Sequence, residues 1–263
     1  MTWIEALILG ILQGLAEFLP ISSSGHLEIG KVLLGIEQQD NLTFTVVVHG
    51  ATVLSTIVVF RKEIGRILKG LTQLRQNDEW SFTGKIALSM IPVLVLGLLF
   101  KDEVESLFTG NLLLVGSMLV FTATLLGFAF FSKSKERSIS YLDAFIIGIA
   151  QALAVIPGIS RSGATIATGI ILGNKKEQVA EFSFLMVLVP ILGANFLDII
   201  SQDFSAAGAI EALPLIIGFI SSFVVGYLAC TWMINIVKRG KLIYFALYCL
   251  LVGSIAIASQ LFF

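Results

Sequence analysis

The chain has 263 residues, 56% of them hydrophobic and only 13% charged, with a formal net charge of −1. Soluble domains carry roughly 25% charged residues, so a water-soluble fold is excluded, and the near-neutral balance leaves no basic face for nucleic acid. No GxxxxGK[ST] loop, GxGxxG fingerprint or CxxC pair occurs, which makes nucleotide chemistry improbable, and Cys230 and Cys249 sit in apolar runs as small hydrophobes rather than a disulfide framework.

In chain order, residues 2–35 come first, apolar but broken by Pro20-Ile21-Ser22-Ser23-Ser24-Gly25-His26. The N-terminus lacks the basic region of a signal peptide and is expected to stay in the mature protein. The arm after the break, 24–35, would rise roughly 18 Å as helix, too little for a hydrocarbon core of about 30 Å. It is read as the return arm of a re-entrant hairpin. Three spans follow at 42–60, 82–100 and 112–131, with a basic, Leu-spaced segment 61–81 that is either an interfacial helix or a solvated loop. Residues 140–173 form a second broken segment, interrupted by Pro157-Gly158-Ile159-Ser160-Arg161-Ser162-Gly163, and spans at 178–200, 213–236 and 242–262 complete the chain. The expected fold is all-α: a polytopic membrane protein of six transmembrane helices plus two re-entrant helix hairpins.

Basic residues concentrate in cytoplasmic loops. With both termini outside, fourteen of the seventeen Lys and Arg fall inside, Lys31 and Lys101 fall outside, and Arg161 lies in the second break. The acidic segment Lys101 to Glu105 and the base-free stretch 201–212 agree with that orientation.

Shifting the chain against itself by 138 positions aligns Gly10–Gly25 with Gly148–Gly163, with nine identities in sixteen positions, among them Gln13 with Gln151, Ser22 with Ser160 and Ser24 with Ser162. Two repeats are expected, 1–138 and 139–263, in one structural unit. Each is a hairpin that returns to its starting side plus three spans. Three is odd, so the second copy enters from the opposite face, an inverted repeat with its site near the midplane. Backbone that leaves helical geometry at membrane depth must be buried in protein or line a cavity; the two polar tips are therefore expected to meet.

The copies differ where chemistry would need them to: Glu17 against Val155, Ser23 against Arg161, His26 against Ala164. Copy one supplies a carboxylate, hydroxyls and an imidazole, the materials of base, nucleophile and acid. Copy two supplies a guanidinium at a helix start capped by Ser160 or Ser162, a natural anion site. An Arg at that depth needs a partner, and Glu17 is the expected one. Structural readings weigh against each residue: an ion pair for Arg161, a cap for His26, turn contacts for the serines. Glu181, Asn195, Asp198 and His49 read as packing or supporting contacts, Glu181 being the likeliest exception because a charge needs a partner there.

The Gln13-x-x-x-Glu17 pair, Phe18-Leu19-Pro20-Ile21-Ser22-Ser23-Ser24-Gly25-His26 and Pro157 to Thr165 together resemble the bacterial undecaprenyl-diphosphate phosphatases of the bacitracin-resistance type, over essentially the whole chain. Gln13 is within that family's Glu-or-Gln pattern and leaves Glu17 as the only carboxylate of the pair, and Ser24 stands where many members have Thr. The resemblance implies an enzyme of the bacterial inner membrane that removes the terminal phosphate of undecaprenyl diphosphate, with Mg²⁺ or Ca²⁺ as cofactor and Glu17 as a candidate metal ligand. It implies Glu17, Ser23, His26 and Arg161 as the central set and Gln13, Ser22, Ser24, Ser160, Ser162 and Thr165 as supporting contacts, most of them to phosphate. Either Ser23 attacks phosphorus with His26 taking its proton, or His26 attacks, or one of them activates water; Ser23 is favoured. The partners are the polyprenyl diphosphate and membrane lipids, with no nucleic acid and a homodimer left open. The rival function is a transporter or flippase of polyprenyl phosphate, since inverted repeats with re-entrant tips are transporter architecture.

Overall fold

The computed structural model describes residues 1–36, 42–73, 77–100, 103–104, 106–107, 111–133, 135–193 and 212–262. Arg75, Lys101, Asp102, Glu105, Asn195, Asp198 and the stretch 201–211 lie outside the described residues. Among those described the architecture is helical, with an isolated bridge between Arg137 and Asn174.

Helices α1 (Trp3–Phe18) and α2 (Ser23–Leu34) flank the first break. Helix α3 (Leu42–Val59) is followed by α4 (Arg61–Leu71) across a 72° bend, then by α5 (Asp78–Leu99) and α6 (Leu112–Phe131). Helices α7 (Tyr141–Leu153) and α8 (Arg161–Ile171) flank the second break, and α9 (Lys176–Met186), α10 (Ala212–Lys238) and α11 (Ile243–Phe262) follow. Four of these, α5, α6, α10 and α11, are long and apolar enough to cross a membrane, and α3 with α4 makes a fifth if the bent pair is one span. Side chains such as Leu98 and Leu99 on α5 are largely exposed, apolar surface that lipid covers. The chain is a multi-pass membrane protein.

The expected span 178–200 does not run unbroken. Helix α9 stops at Met186, and helix resumes at 188–193. Pro190 has no N–H to give the Met186 carbonyl and its ring crowds that oxygen, which accounts for the interruption; 194–200 lie outside the described residues. The 61–81 segment is helical over α4, and Asn77 caps α5 by accepting the Trp80 N–H at 2.9 Å. Glu181 finds its partner here: Arg66 Nη2 on α4 donates to Glu181 Oε1 at 2.9 Å, joining α4 to α9.

Helices α1 and α7 begin alike. Thr2 Oγ1 accepts the Glu5 N–H while Glu5 Oε2 accepts the Thr2 N–H, and Ser140 with Asp143 repeats this capping box. Packing partners correspond too. Helix α1 lies on α10 and α7 on α5; α3 also meets α10 and α9 meets α5; α6 and α11 pack on each other. Small residues set these approaches. A Cβ on Gly116 would lie 2.8 Å from the Gly253 carbonyl oxygen, and one on Gly253 2.7 Å from that of Gly116, so α6 and α11 meet backbone to backbone as membrane helices do where small residues face each other.

Candidate active site

Each break is built by a capping serine. Ser22 sits at φ 71°, left-handed space that a serine adopts only when its surroundings fix it. Its Oγ accepts the Gly25 N–H at 3.2 Å, and its carbonyl accepts the His26 N–H at 3.1 Å. In the second break Gly158, at φ 98°, passes so close to α6 that a Cβ would meet that of Met118 at 2.8 Å. Ser160 then caps α8, its Oγ accepting the Gly163 N–H at 3.1 Å and its own N–H donating to Thr122 Oγ1 at 3.1 Å. In both turns the capping hydroxyl lies 3.3 Å from the hydroxyl two residues on, Ser22 to Ser24 and Ser160 to Ser162.

The tips meet. Ser162 Oγ donates to the Leu19 carbonyl at 3.3 Å, and Arg161 Nη1 lies 3.9 Å from Glu17 Oε1, so the expected Arg161–Glu17 pairing is present. Glu17 is the hub. Its Oε2 accepts from Ser23 Oγ at 2.6 Å and from Gln13 Nε2 at 3.1 Å, with His49 Nε2 at 3.8 Å from the same oxygen. The serine contact has the length of a hydroxyl donating to an ionised carboxylate, among the stronger hydrogen bonds. A carboxylate with only a tenth of its side chain exposed needs such company.

A cavity of about 420 Å³, open mouth included, adjoins this hub. It is lined by polar residues Glu17, Arg161, Ser162, Thr165, Thr52, Thr56 and Ser183 and by apolar residues Phe18, Val53, Phe184, Val187, Leu188 and Ile191. Ser183 Oγ is buried there without a partner among the described residues. The lining thus offers charged and hydroxyl groups for an anion together with apolar surface for a hydrocarbon chain.

Thr165 Oγ1 donates to the Arg161 carbonyl at 2.9 Å, steadying the helix turn that carries the guanidinium. Ser22 and Ser160 are buried caps, serving the backbone. His26 is placed differently from the arrangement in which it would take the proton of Ser23. Its Nδ1 lies 2.9 Å from the Ser22 carbonyl and its Nε2 2.9 Å from the Tyr248 hydroxyl, so both ring nitrogens are engaged away from Ser23, whose hydroxyl turns to Glu17.

Sequence reasoning undervalued His49 and missed Tyr248, Thr52, Thr56 and Ser183. A signal existed for α3: His49, Thr52 and Thr56 fall at i, i+3 and i+7, a polar stripe on one face of an otherwise apolar helix. Tyr248 carried only the general expectation that a hydroxyl in an apolar run seeks a partner.

Among the described residues no three His, Cys, Asp or Glu side chains are grouped to hold a metal ion. Beside the serine hydroxyls the tip offers the Glu17 carboxylate and Gln13 Oε1, which is on the amide that donates to Glu17 and is buried without a partner among the described residues. Hard cations of the Mg²⁺ type bind through one or two carboxylates plus substrate phosphates. This donor set fits a cation shared with a diphosphate, not one caged by protein alone.

The family model described as bacitracin resistance protein BacA matches residues 6–255. A protein of Parabacteroides distasonis named undecaprenyl-diphosphatase is 56% identical over 99% of each chain. One of the same name from Bacteroides thetaiotaomicron is 54% identical over 99% of this chain and all of its own. Another from Salinibacter ruber is 38% identical over 98% of this chain and 99% of its own.

Proposed function

The chain belongs to the bacitracin resistance protein BacA family, and from that premise we propose that it hydrolyses undecaprenyl diphosphate to undecaprenyl phosphate and inorganic phosphate, recycling the carrier lipid for cell-wall synthesis and conferring bacitracin resistance. The observation that carries the chemistry is Ser23 Oγ donating to Glu17 at 2.6 Å while Arg161 faces the other oxygen of the same carboxylate.

The terminal phosphoryl group sits against Arg161 and the first turn of α8, whose backbone N–H groups and guanidinium favour phosphate oxygens. Ser23 Oγ attacks the terminal phosphorus as its proton passes to Glu17. The bond from phosphorus to the bridging oxygen breaks, undecaprenyl phosphate leaves, and the phosphoryl group rests on Ser23. Once Glu17 has shed that proton to solvent, water attacks the phosphorus while losing a proton to Glu17; the phosphorus–Oγ bond breaks, Glu17 returns the proton to Ser23 Oγ, and inorganic phosphate leaves. Arg161 is worth most where charge builds on the transferring oxygens. Glu17 and Gln13 would hold Mg²⁺ or Ca²⁺ together with the diphosphate, the cation supplying further charge neutralisation. His26 acts here through the turn, keeping Ser22 in place so that Ser23 faces Glu17.

The finer architecture is proposed with it: six spans, two re-entrant hairpins, and inverted repeats 1–138 and 139–263. The paired capping boxes, the paired serine turns and the matching helix partners support this. The charge distribution of the loops supports a site opening outward, with both termini outside. Cysteines placed singly at 24 and 162 should react with impermeant reagents applied to intact cells; reaction from the inner side only would sink that orientation. The native Cys230 and Cys249 are buried and give little background.

Transport of the monophosphate is not favoured, because passive translocation has no use for a serine and carboxylate in one tip where the other has Arg161 and Val155. Product analysis is the test. Purified protein given a C55 polyprenyl diphosphate should yield one inorganic phosphate and one lipid monophosphate per turnover, whereas release of pyrophosphate with the free alcohol would overturn the assignment.

A further inference from the structure

We propose that Tyr248 is a positioning residue of this site, fixing the tautomer and orientation of His26 and through it the turn that presents Ser23. The proposal rests on the phosphatase reading for its effect on rate, though not for the contact itself.

Tyr248 lies in α11, in an apolar run 222 positions beyond His26. Its hydroxyl is 2.9 Å from His26 Nε2, and the two rings stack with centroids 5.5 Å apart and 17° between planes. On its other side the imidazole meets the Ser22 carbonyl at 2.9 Å. A carbonyl only accepts, so Nδ1 carries the proton. In the neutral ring Nε2 is then a bare lone pair, on a side chain 6% exposed, and the Tyr248 O–H is the donor that satisfies it. A buried acceptor without a partner is costly. Removing the hydroxyl frees the ring to exchange tautomers, and in the other tautomer nothing is donated to Ser22.

Ser22 is the residue least able to lose that support. It holds φ 71°, which a non-glycine residue keeps only where neighbouring contacts overdetermine it, and the residue after it is Ser23. The next residue of α11 grips the same turn, Cys249 Sγ donating to the Pro20 carbonyl at 3.4 Å. Constraint therefore runs from Tyr248 to His26, to Ser22, to Ser23 and so to Glu17, with Tyr248 itself touching none of the reacting atoms. Tyr248 is 40% exposed with its ring stacked on His26, so a phenylalanine there keeps the ring stack and the fold.

The experiment compares full-length wild type with Tyr248→Phe and Tyr248→Leu in detergent, by steady-state kinetics on a C15 polyprenyl diphosphate and by ¹⁵N spectra of histidine-labelled protein. The chain has two histidines, and His49→Gln identifies which resonances belong to His26. The expected result is a loss of about tenfold in kcat, the low end for groups that orient a functional side chain, with KM little changed in Tyr248→Phe. The His26 Nε2 resonance should move while the protein stays folded, with at most the modest loss of melting temperature that one unpaired buried acceptor brings. Tyr248→Leu should lower kcat no more than a few-fold beyond that, since the hydroxyl and not the ring is decisive. Unchanged kcat and unchanged His26 resonances in Tyr248→Phe would overturn the proposal. If wild type itself releases no phosphate, the phosphatase reading fails, and the His26 resonances alone then decide whether the Tyr248 contact fixes the tautomer.

Discussion

Glu17→Gln is expected to lower the rate of phosphate release by about 10²–10⁴-fold, the range a positioned general base contributes, with the protein still folded. Glutamine fills the same space and its carbonyl oxygen still accepts from Ser23 Oγ, so the 2.6 Å contact survives in outline. What disappears is the ability to take the serine proton and the negative charge that draws Arg161 and His49 to the tip. Loss in kcat should therefore exceed any rise in KM. Steady-state kinetics on a polyprenyl diphosphate, with circular dichroism or a melting curve as the check on folding, measures it. Activity within threefold of wild type would remove Glu17 from the proton's path.

Arg161→Lys should cost about 10²–10³-fold, the loss seen when one donor to a developing anion is removed. The charge is retained, so the variant isolates geometry. Arginine presents a planar fork that matches phosphate oxygens in pairs, while lysine offers a strongly hydrated point charge. Arg161 also opens the second tip as the first residue of α8, with Ser160 as its cap and Thr165 bonded to its carbonyl, and these backbone contacts survive the substitution. Arg161→Ala should be worse on two counts, since it also removes the opposite charge facing a carboxylate only a tenth exposed, and uncompensated buried charge is strongly destabilising. Near-normal turnover by Arg161→Lys would mean that this residue serves mainly to neutralise Glu17.

Much of this was legible in the residues because membrane burial leaves polar groups few places to go. A break such as Pro157 to Gly163 inside an apolar segment had to be enclosed by protein, and pairing Gln13, Ser22 and Ser24 with their counterparts brought the two tips together before any coordinates did. The Glu17–Arg161 pair followed from the cost of an unpaired charge. Less legible was which hydroxyl or imidazole faces the carboxylate. Ser22, Ser23 and Ser24 are chemically alike in sequence, and only the left-handed turn at Ser22 decides that Ser23 points to Glu17 while Ser22 caps. The sequence leaves His26 open between proton acceptor, nucleophile, activator of water and cap; the contacts of its two nitrogens with Ser22 and Tyr248 are not legible there, the second joining residues 222 positions apart with no local pattern. The interruption of span 178–200 at Val187 was not legible because hydropathy does not register that Pro190 withdraws a hydrogen bond from Met186.

The most direct measurement is phosphate release from a C55 polyprenyl diphosphate by purified wild type and Ser23→Ala, each with and without Mg²⁺. Rapid release by wild type and near-complete loss in a folded Ser23→Ala protein is the predicted result. Wild-type turnover by Ser23→Ala would contradict a serine nucleophile, and no release by wild type under either condition would contradict the enzyme itself.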